Sequence, residues 1–449
     1  MIYIRGQKQD YDDWAKESGS DIWKWENVLE NYKKIEDYVK WKEERQDYLT
    51  YGRNGPVRVE NSRANWEVLN IWRKAAEETL GIPQVSAFNN GDNFGSGYFD
   101  VTQKNGRRFS AADAFLYPIA NRKNLDILVN HLVSRVIIDE KTKRAQGVEI
   151  LAKNQERINI ISDKEVVLSA GVIHSPLLLQ LSGIGPQNLL EKHGIKVIEN
   201  LPVGENLHDH FQIRPTYKLS GLKTLNTSSV NYVECFKMVL EYLIYRSGPF
   251  SMAPSVMGAF GYSNPRVERP NIGWCIQPLS LTKFGDPLDN YNGITTSVYL
   301  LRPSSRGSVR ITENSLNNPE IVLNYLQSED DKTIALESFK LTRKIMQSNA
   351  FKKFEIEETR PGKKFEKDED LMEAVKQLGR GGYHLVGSCK MGRKYQKNSV
   401  VDAHLKVIGI EGLRVIDSSI MPNITSGNTN AGTFVIAEIG SQIILKENS

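Results

Sequence analysis

Cysteine is scarce in this chain and charge is almost balanced, and each shortage closes off a class of protein. The three cysteines, Cys235, Cys275 and Cys389, are scattered through 449 residues. An odd, sparse set excludes a disulfide framework as the basis of the fold. Lys and Arg number 58 against 54 Asp and Glu, a net charge of +4. So small an excess, spread along the chain, leaves no footprint for nucleic acid. No apolar run approaches the roughly 20 residues a membrane-spanning helix requires. The first residues, Met1-Ile2-Tyr3-Ile4-Arg5-Gly6, lack the apolar core of a signal peptide. His208 and His210 sit two apart, but no third ligand follows at metal-binding spacing, so no metal is expected. Neither an internal repeat nor a low-complexity segment is present.

What remains is an ordinary globular composition, long enough for two or three domains. Six of the seven tryptophans (Trp14, Trp23, Trp25, Trp41, Trp66 and Trp72) fall in the first 80 residues. They are expected to pack between helices, two of which are predicted at Ile22 to Glu36 and Asn65 to Leu80. Gly81-Ile82-Pro83 ends the second. Residues 91–118 read as a loop followed by a short helix after Ser110. Short β-type runs at Leu132–Asp139, Gly147–Ala152 and Ile158–Ser162 suggest a meander. The strand Glu165 to Gly171 then passes into a helix, with Ser175 as N-cap and Pro176 at the first helical position. Such a strand–turn–helix is the local geometry of nucleotide-type α/β folds. Residues 213–300 read as a less regular insertion containing a helix at Tyr232–Tyr245. Its Cys235, Met238, Leu240 and Leu243 are expected in a core. A strand pair near Arg302–Val309 and a helix from Asp330 to Ser348 follow.

The chemistry-bearing stretch is the last seventy residues. His384 lies on a glycine-flanked turn, Gly381-Gly382-Tyr383-His384. Asn428-Thr429-Asn430 precedes an apolar stripe, Val435, Ile436, Ile439, Ile443 and Ile444, at helical spacing. Thr429 or Asn430 is the candidate N-cap. A histidine takes a hydroxyl proton near neutral pH, while an asparagine holds the same oxygen without competing for that proton. A helix starting here directs free N–H groups and its positive end at whatever lies in front, which suits a flavin ring that becomes anionic on reduction. A core histidine on a turn and an ordinary capped helix fit the same residues.

Several motifs together resemble one family. Ser169 to Pro186, Leu201 to His210, Leu301 to Gly307, Asn324-Tyr325-Leu326, Tyr383 to Gly392 and Leu413 to Pro422 are similar, in order, to segments of the glucose–methanol–choline (GMC) flavoprotein oxidoreductases. The likeness is greatest to the insect glucose-dehydrogenase-like branch. The resemblance implies an α/β (α+β) architecture: an FAD-binding domain of the glutathione-reductase type and a substrate domain on an antiparallel sheet. Residues 1–212 would form the N-terminal region, 213–300 a substrate-domain insertion and 301–440 the C-terminal region. It implies FAD as cofactor, a small alcohol or sugar as substrate, a quinone or other acceptor, and secretion. His384 would be the catalytic base and Asn428 its partner on the substrate oxygen. Val133 would contact the adenine through its backbone. Asp417 would lie near the ribityl–pyrophosphate region, and Asn430 and Ala431, with Tyr383, at the flavin.

The family opens with a strand, a Gly-x-Gly-x-x-Gly turn and a helix. No such turn opens a predicted helix here, and Tyr3-Ile4-Arg5-Gly6 resembles a later stretch. The chain is therefore expected to be a truncated form that binds FAD poorly and folds marginally, because a missing first strand unpairs a buried parallel sheet. The alternative function is a non-catalytic homologue.

Overall fold

The protein is described by a computed structural model covering residues 1–40, 50–153, 156–283, 285–313 and 315–448. Trp41 lies outside the described residues. Helices Trp25–Ile35 and Glu67–Leu80 form where the apolar spacing predicts them, Lys8–Ser18 is a further helix that the sequence reading did not place, and Gly81 closes Glu67–Leu80 in the left-handed region at φ 65°. Trp14, Trp23 and Trp72 are fully buried, so these tryptophans pack the core. A buried ion pair ties the N-terminal segment to the start of strand Glu36–Val39, just after the helix Trp25–Ile35: Arg5 Nε and Nη2 donate to Glu36 at 2.9 and 2.5 Å.

The predicted meander is present as antiparallel strands Leu132–Asp139, Arg144–Leu151 and Arg157–Ile161. Beside it, Val166–Leu168 pairs in parallel with Leu413–Val415, joining segments almost 250 residues apart. The helix after the first of these strands runs Gly171–Leu181, so it begins before Ser175. Ser175 is not its N-cap. Its hydroxyl donates to Asp417 Oδ2 at 2.5 Å, and Pro176 lies within the helix. The sequence reading placed the start at the strongest cap residue, but the Asp417 carboxylate supplies that stabilisation from outside, accepting also from Gly171 N at 2.9 Å.

Residues 213–300 are not irregular. They contribute most of an eight-stranded antiparallel sheet, in the order Glu357–Arg360, Thr216–Lys218, Gly293–Leu300, Ile272–Gln277, Met257–Gly261 and Gly95–Tyr98. Phe211–Ile213 pairs with both Gly293–Leu300 and Gly379–Gly381. One sheet face packs on helices Glu67–Leu80 and Glu329–Met346, where Trp274 donates to Thr342 Oγ1 at 2.8 Å. The helix Tyr232–Tyr245 forms as predicted, capped by the Asn231 side chain, but it has no buried residue. Leu240 and Leu243 are exposed, so the expected core packing is overturned. Periodicity gives an apolar stripe but not the direction it faces.

The closing helix spans Thr429–Asn448, with Val435, Ile436 and Ile439 in the larger core. Thr429 and Asn430 lie in its first turn, and Asn428 is the residue before it. Among the described residues no helix is long and apolar enough to cross a membrane.

Candidate active site

Two chain crossings assemble the site. The segment 208–210 runs antiparallel to 382–386, with Gly382 N donating to His210 O at 2.7 Å and Val386 N to His208 O at 3.0 Å. This sets His384 against His210. The loop before the closing helix is pinned from three directions. Asp10 Oδ2 accepts Ser426 N at 2.7 Å, Asn93 Nδ2 donates to Ser426 O at 2.8 Å, and Arg302 Nη1 donates to Ser426 Oγ at 3.1 Å. Gly427 then passes so close to the N-terminal segment that an added Cβ would lie 2.3 Å from Ile4 Cγ2. Asn428 is thereby delivered to His384: its Nδ2 is 2.7 Å from Nε2.

The proton positions follow from donors and acceptors. The Leu301 carbonyl can only accept, so His210 Nε2, at 3.1 Å, carries a hydrogen. Neutral His210 then offers a lone pair at Nδ1. His384 Nδ1, 3.0 Å away, must donate to it. That leaves the lone pair of His384 on Nε2, where the Asn428 amide donates. Burial pushes the His384 imidazole down to about 4, helped by the chain's amino terminus. It is therefore a neutral acceptor at pH 7. Asp209 holds the turn: Oδ1 accepts His384 N at 2.7 Å and Oδ2 accepts the Tyr325 hydroxyl at 2.7 Å.

His384 and Asn428 open on a cavity of about 750 Å³, shared by Tyr383, Gln212, Arg214, Cys275, Gln277 and the first turn of the closing helix. Asn428 Oδ1 is buried with no hydrogen-bond partner. Asn430 lines the cavity, whereas Ala431 is fully buried behind it. Val133, paired with Ile150 in the meander, and Asp417 lie outside the cavity lining. The structure thus brings together His384, Asn428, Tyr383 and Asn430 of the sequence-predicted set. Sequence reasoning gave no site role to His210, Asp209, Tyr325 or Arg214; His210 and Asp209 lie in the family-like segment Leu201 to His210 and Tyr325 in Asn324-Tyr325-Leu326, whereas Arg214 had no signal. Both nitrogens of His208 are engaged, Nδ1 with Asn206 O at 2.6 Å and Nε2 with Ile424 N at 3.0 Å.

Family models described as GMC oxidoreductase match residues 1–212 and 303–437. This chain belongs to the GMC oxidoreductase family. The oxygen-dependent choline dehydrogenase of Brucella anthropi is 34% identical over 447 residues, covering 99% of this chain and 79% of that protein. The alcohol dehydrogenase [acceptor] of Pseudomonas putida is 31% identical, covering 100% and 80%. The mitochondrial choline dehydrogenase of Mus musculus is 34% identical, covering 99% and 73%. Pyridoxine 4-oxidase from Mesorbium loti shares the fold with a TM-score of 0.85 at 25% identity, over 98% of this chain and 81% of that one. These names point to alcohols rather than specifically to the glucose branch.

FAD is the cofactor of this GMC protein, and the residues present fit its flavin end. A helix N-terminus, an orphaned buried amide oxygen and a neutral imidazole converge on one cavity. Gly171, at φ 83° with open space where a Cβ would stand, begins a second helix after a parallel strand. No Gly-x-Gly-x-x-Gly turn opens a helix among the described residues.

Proposed function

We propose that this GMC protein oxidises the CH–OH group of a small alcohol, with His384 as the base. The single observation carrying the reading is the forced lone pair on His384 Nε2, 2.7 Å from Asn428 Nδ2 and open to the cavity. A substrate hydroxyl entering there displaces the Asn428 amide from Nε2, donates its proton to Nε2 and accepts from that amide. Asn428 holds the oxygen as negative charge develops on it, and the His210–His384 pair keeps Nε2 free of hydrogen until that proton arrives. FAD, when bound, supplies the hydride acceptor; Asn430 and the first-turn N–H groups of the closing helix would face its ring. The electrons then pass to a quinone or another acceptor. Sugars present the same CH–OH group, so glucose belongs among the substrates to be tested.

A second reading is a homologue that holds no FAD. It is favoured by exposed apolar side chains: Val167 on the two-stranded parallel sheet, and the consecutive Ile127, Leu128 and Val129.

The test is to purify the chain, record its visible spectrum and follow dye reduction by choline, 1-hexanol and glucose. Flavin bands with alcohol-dependent reduction, lost in His384→Ala while the bands persist, are expected. Absence of flavin bands after supplying FAD would remove the catalytic reading in favour of the second. Full activity in His384→Ala would remove His384 as the base.

A further inference from the structure

The large sheet has two chemically different faces, because successive strand residues point to opposite sides. Ile213, Trp274, Ile276 and Val298 face the helices Glu67–Leu80 and Glu329–Met346. Their neighbours one position along, Gln212, Arg214, Cys275, Gln277 and Ser297, line the cavity shared with His384 and Asn428. The register agrees: Gln212 stands opposite Tyr299, and Cys275 opposite Ser297. The cavity floor is thus the polar face of the sheet.

Arg214 is the one charged side chain on that floor, and no aspartate or glutamate is among the described residues lining the cavity. Its Nη2 donates to Gln277 Oε1 at 3.0 Å, which fixes the guanidinium's direction. Burial and the nearby Arg380 lower its pKa to about 10, which leaves it charged at neutral pH. A quaternary ammonium in this cavity meets a like charge and no counter-charge. A carboxylate meets a planar fork of donors that matches its own geometry.

We propose that Arg214 determines specificity by binding the carboxylate of a hydroxy acid whose alcohol carbon sits at His384 and Asn428. This rests on the alcohol-oxidising reading above. The bonds changed are those of any alcohol oxidation. The hydroxyl proton goes to His384 Nε2, the C–H bond breaks with its electron pair transferred to FAD, and a carbonyl forms. What Arg214 adds is the choice of molecule. His384 and Arg214 both line the same cavity, and an ω-hydroxy acid, with its hydroxyl and carboxylate several bonds apart, is the form tested.

The experiment compares 6-hydroxyhexanoate, 1-hexanol and choline as dye-reducing substrates, and hexanoate as a ligand measured by calorimetry without turnover. A charge-assisted contact of this kind is worth ~10- to 100-fold in affinity. The wild-type chain is expected to prefer the hydroxy acid to 1-hexanol in kcat/KM. In Arg214→Gln that ratio falls by ~10- to 100-fold, mainly through KM, and hexanoate binding weakens to match. Arg214→Lys retains part of both, which separates loss of charge from misfolding, and Arg214→Glu turns the preference toward choline. If 1-hexanol is oxidised but the acid has no advantage, or the ratio is unmoved in Arg214→Gln, the proposal is overturned and the alcohol-oxidising reading stands. If hexanoate binds through Arg214 yet no alcohol is oxidised, the carboxylate site stands and that reading fails.

Discussion

His210 and His384 meet Nδ1 to Nδ1 at 3.0 Å, and the Leu301 carbonyl behind His210 decides which of them carries the hydrogen between them. The donors run in one direction, from the Asn428 amide through two imidazoles to a backbone carbonyl, so the lone pair of His384 stands on Nε2, the nitrogen facing Asn428.

His210 is accordingly a positioning residue. In His210→Ala, His384 loses the acceptor that keeps its hydrogen on Nδ1, and both tautomers become populated. The rate is expected to fall by ~10²-fold, within the range a positioned base contributes. Steady-state kinetics check this: kcat should fall more than KM rises. An unchanged kcat would show that Leu301 and His210 do not govern the tautomer.

The acid limb of the pH–rate profile should lie low. Because His384 is pushed down to about 4, Nε2 remains a base until the pH approaches 4, well below the ordinary histidine range. Plotting kcat/KM between pH 4 and 8 measures it. Stability moves in the same interval for a related reason. His208, pushed down to about 3 by burial, and His384 stay neutral when folded, while the unfolded chain takes up their protons below about 6.5. The unfolded state then binds more protons, so stability falls as pH drops from 6.5 toward 4, by on the order of several kcal/mol. Asp100 opposes this, since burial raises it to about 6 and its folded form keeps a proton that the unfolded chain releases. Urea denaturation at pH 7 and pH 5 should show the histidines prevailing.

Asp209 couples the catalytic turn to Tyr325. Tyr325→Phe removes one hydrogen bond and should cost about 1 kcal/mol. Asp209→Ala strands the His384 N–H as well and should cost about 2–4 kcal/mol. A double-mutant cycle by denaturant titration should return a positive coupling, because the two share one bond.

The outward helix gives a direct test of where the core ends. Phe236 is 63% exposed and Leu243 59%, so Phe236→Ser and Leu243→Ser should each change stability by less than about 0.5 kcal/mol. Trp274→Ala, on the packed sheet face, should cost about 3–5 kcal/mol. Thermal melts of the three variants distinguish these outcomes.

The sequence revealed elements whose signal is local. The closing helix was legible because Val435, Ile436 and Ile439 repeat at helical spacing, and the meander because its runs alternate between turns. The large sheet was not. Strand Gly293–Leu300 is buried along its whole length, and Met257–Gly261 is rich in glycine, so neither shows a half-exposed alternation. The helix Tyr232–Tyr245 was found but faced the wrong way, since a stripe does not name its neighbour. At the site, His384 was legible on a glycine-flanked turn and Asn428 just before a helix. The His210 contact was not, because 174 residues separate the partners and nothing local records it.

Because one side of the large sheet holds the fold together and the other forms the floor beneath the reacting alcohol, the two tasks fall on alternate residues of the same strands. Exchanging Arg214, Gln277 or Ser297 removes no side chain from the helix-packed layer. A lineage built on this sheet can therefore alter the polar floor without opening a void in the helix-packed layer.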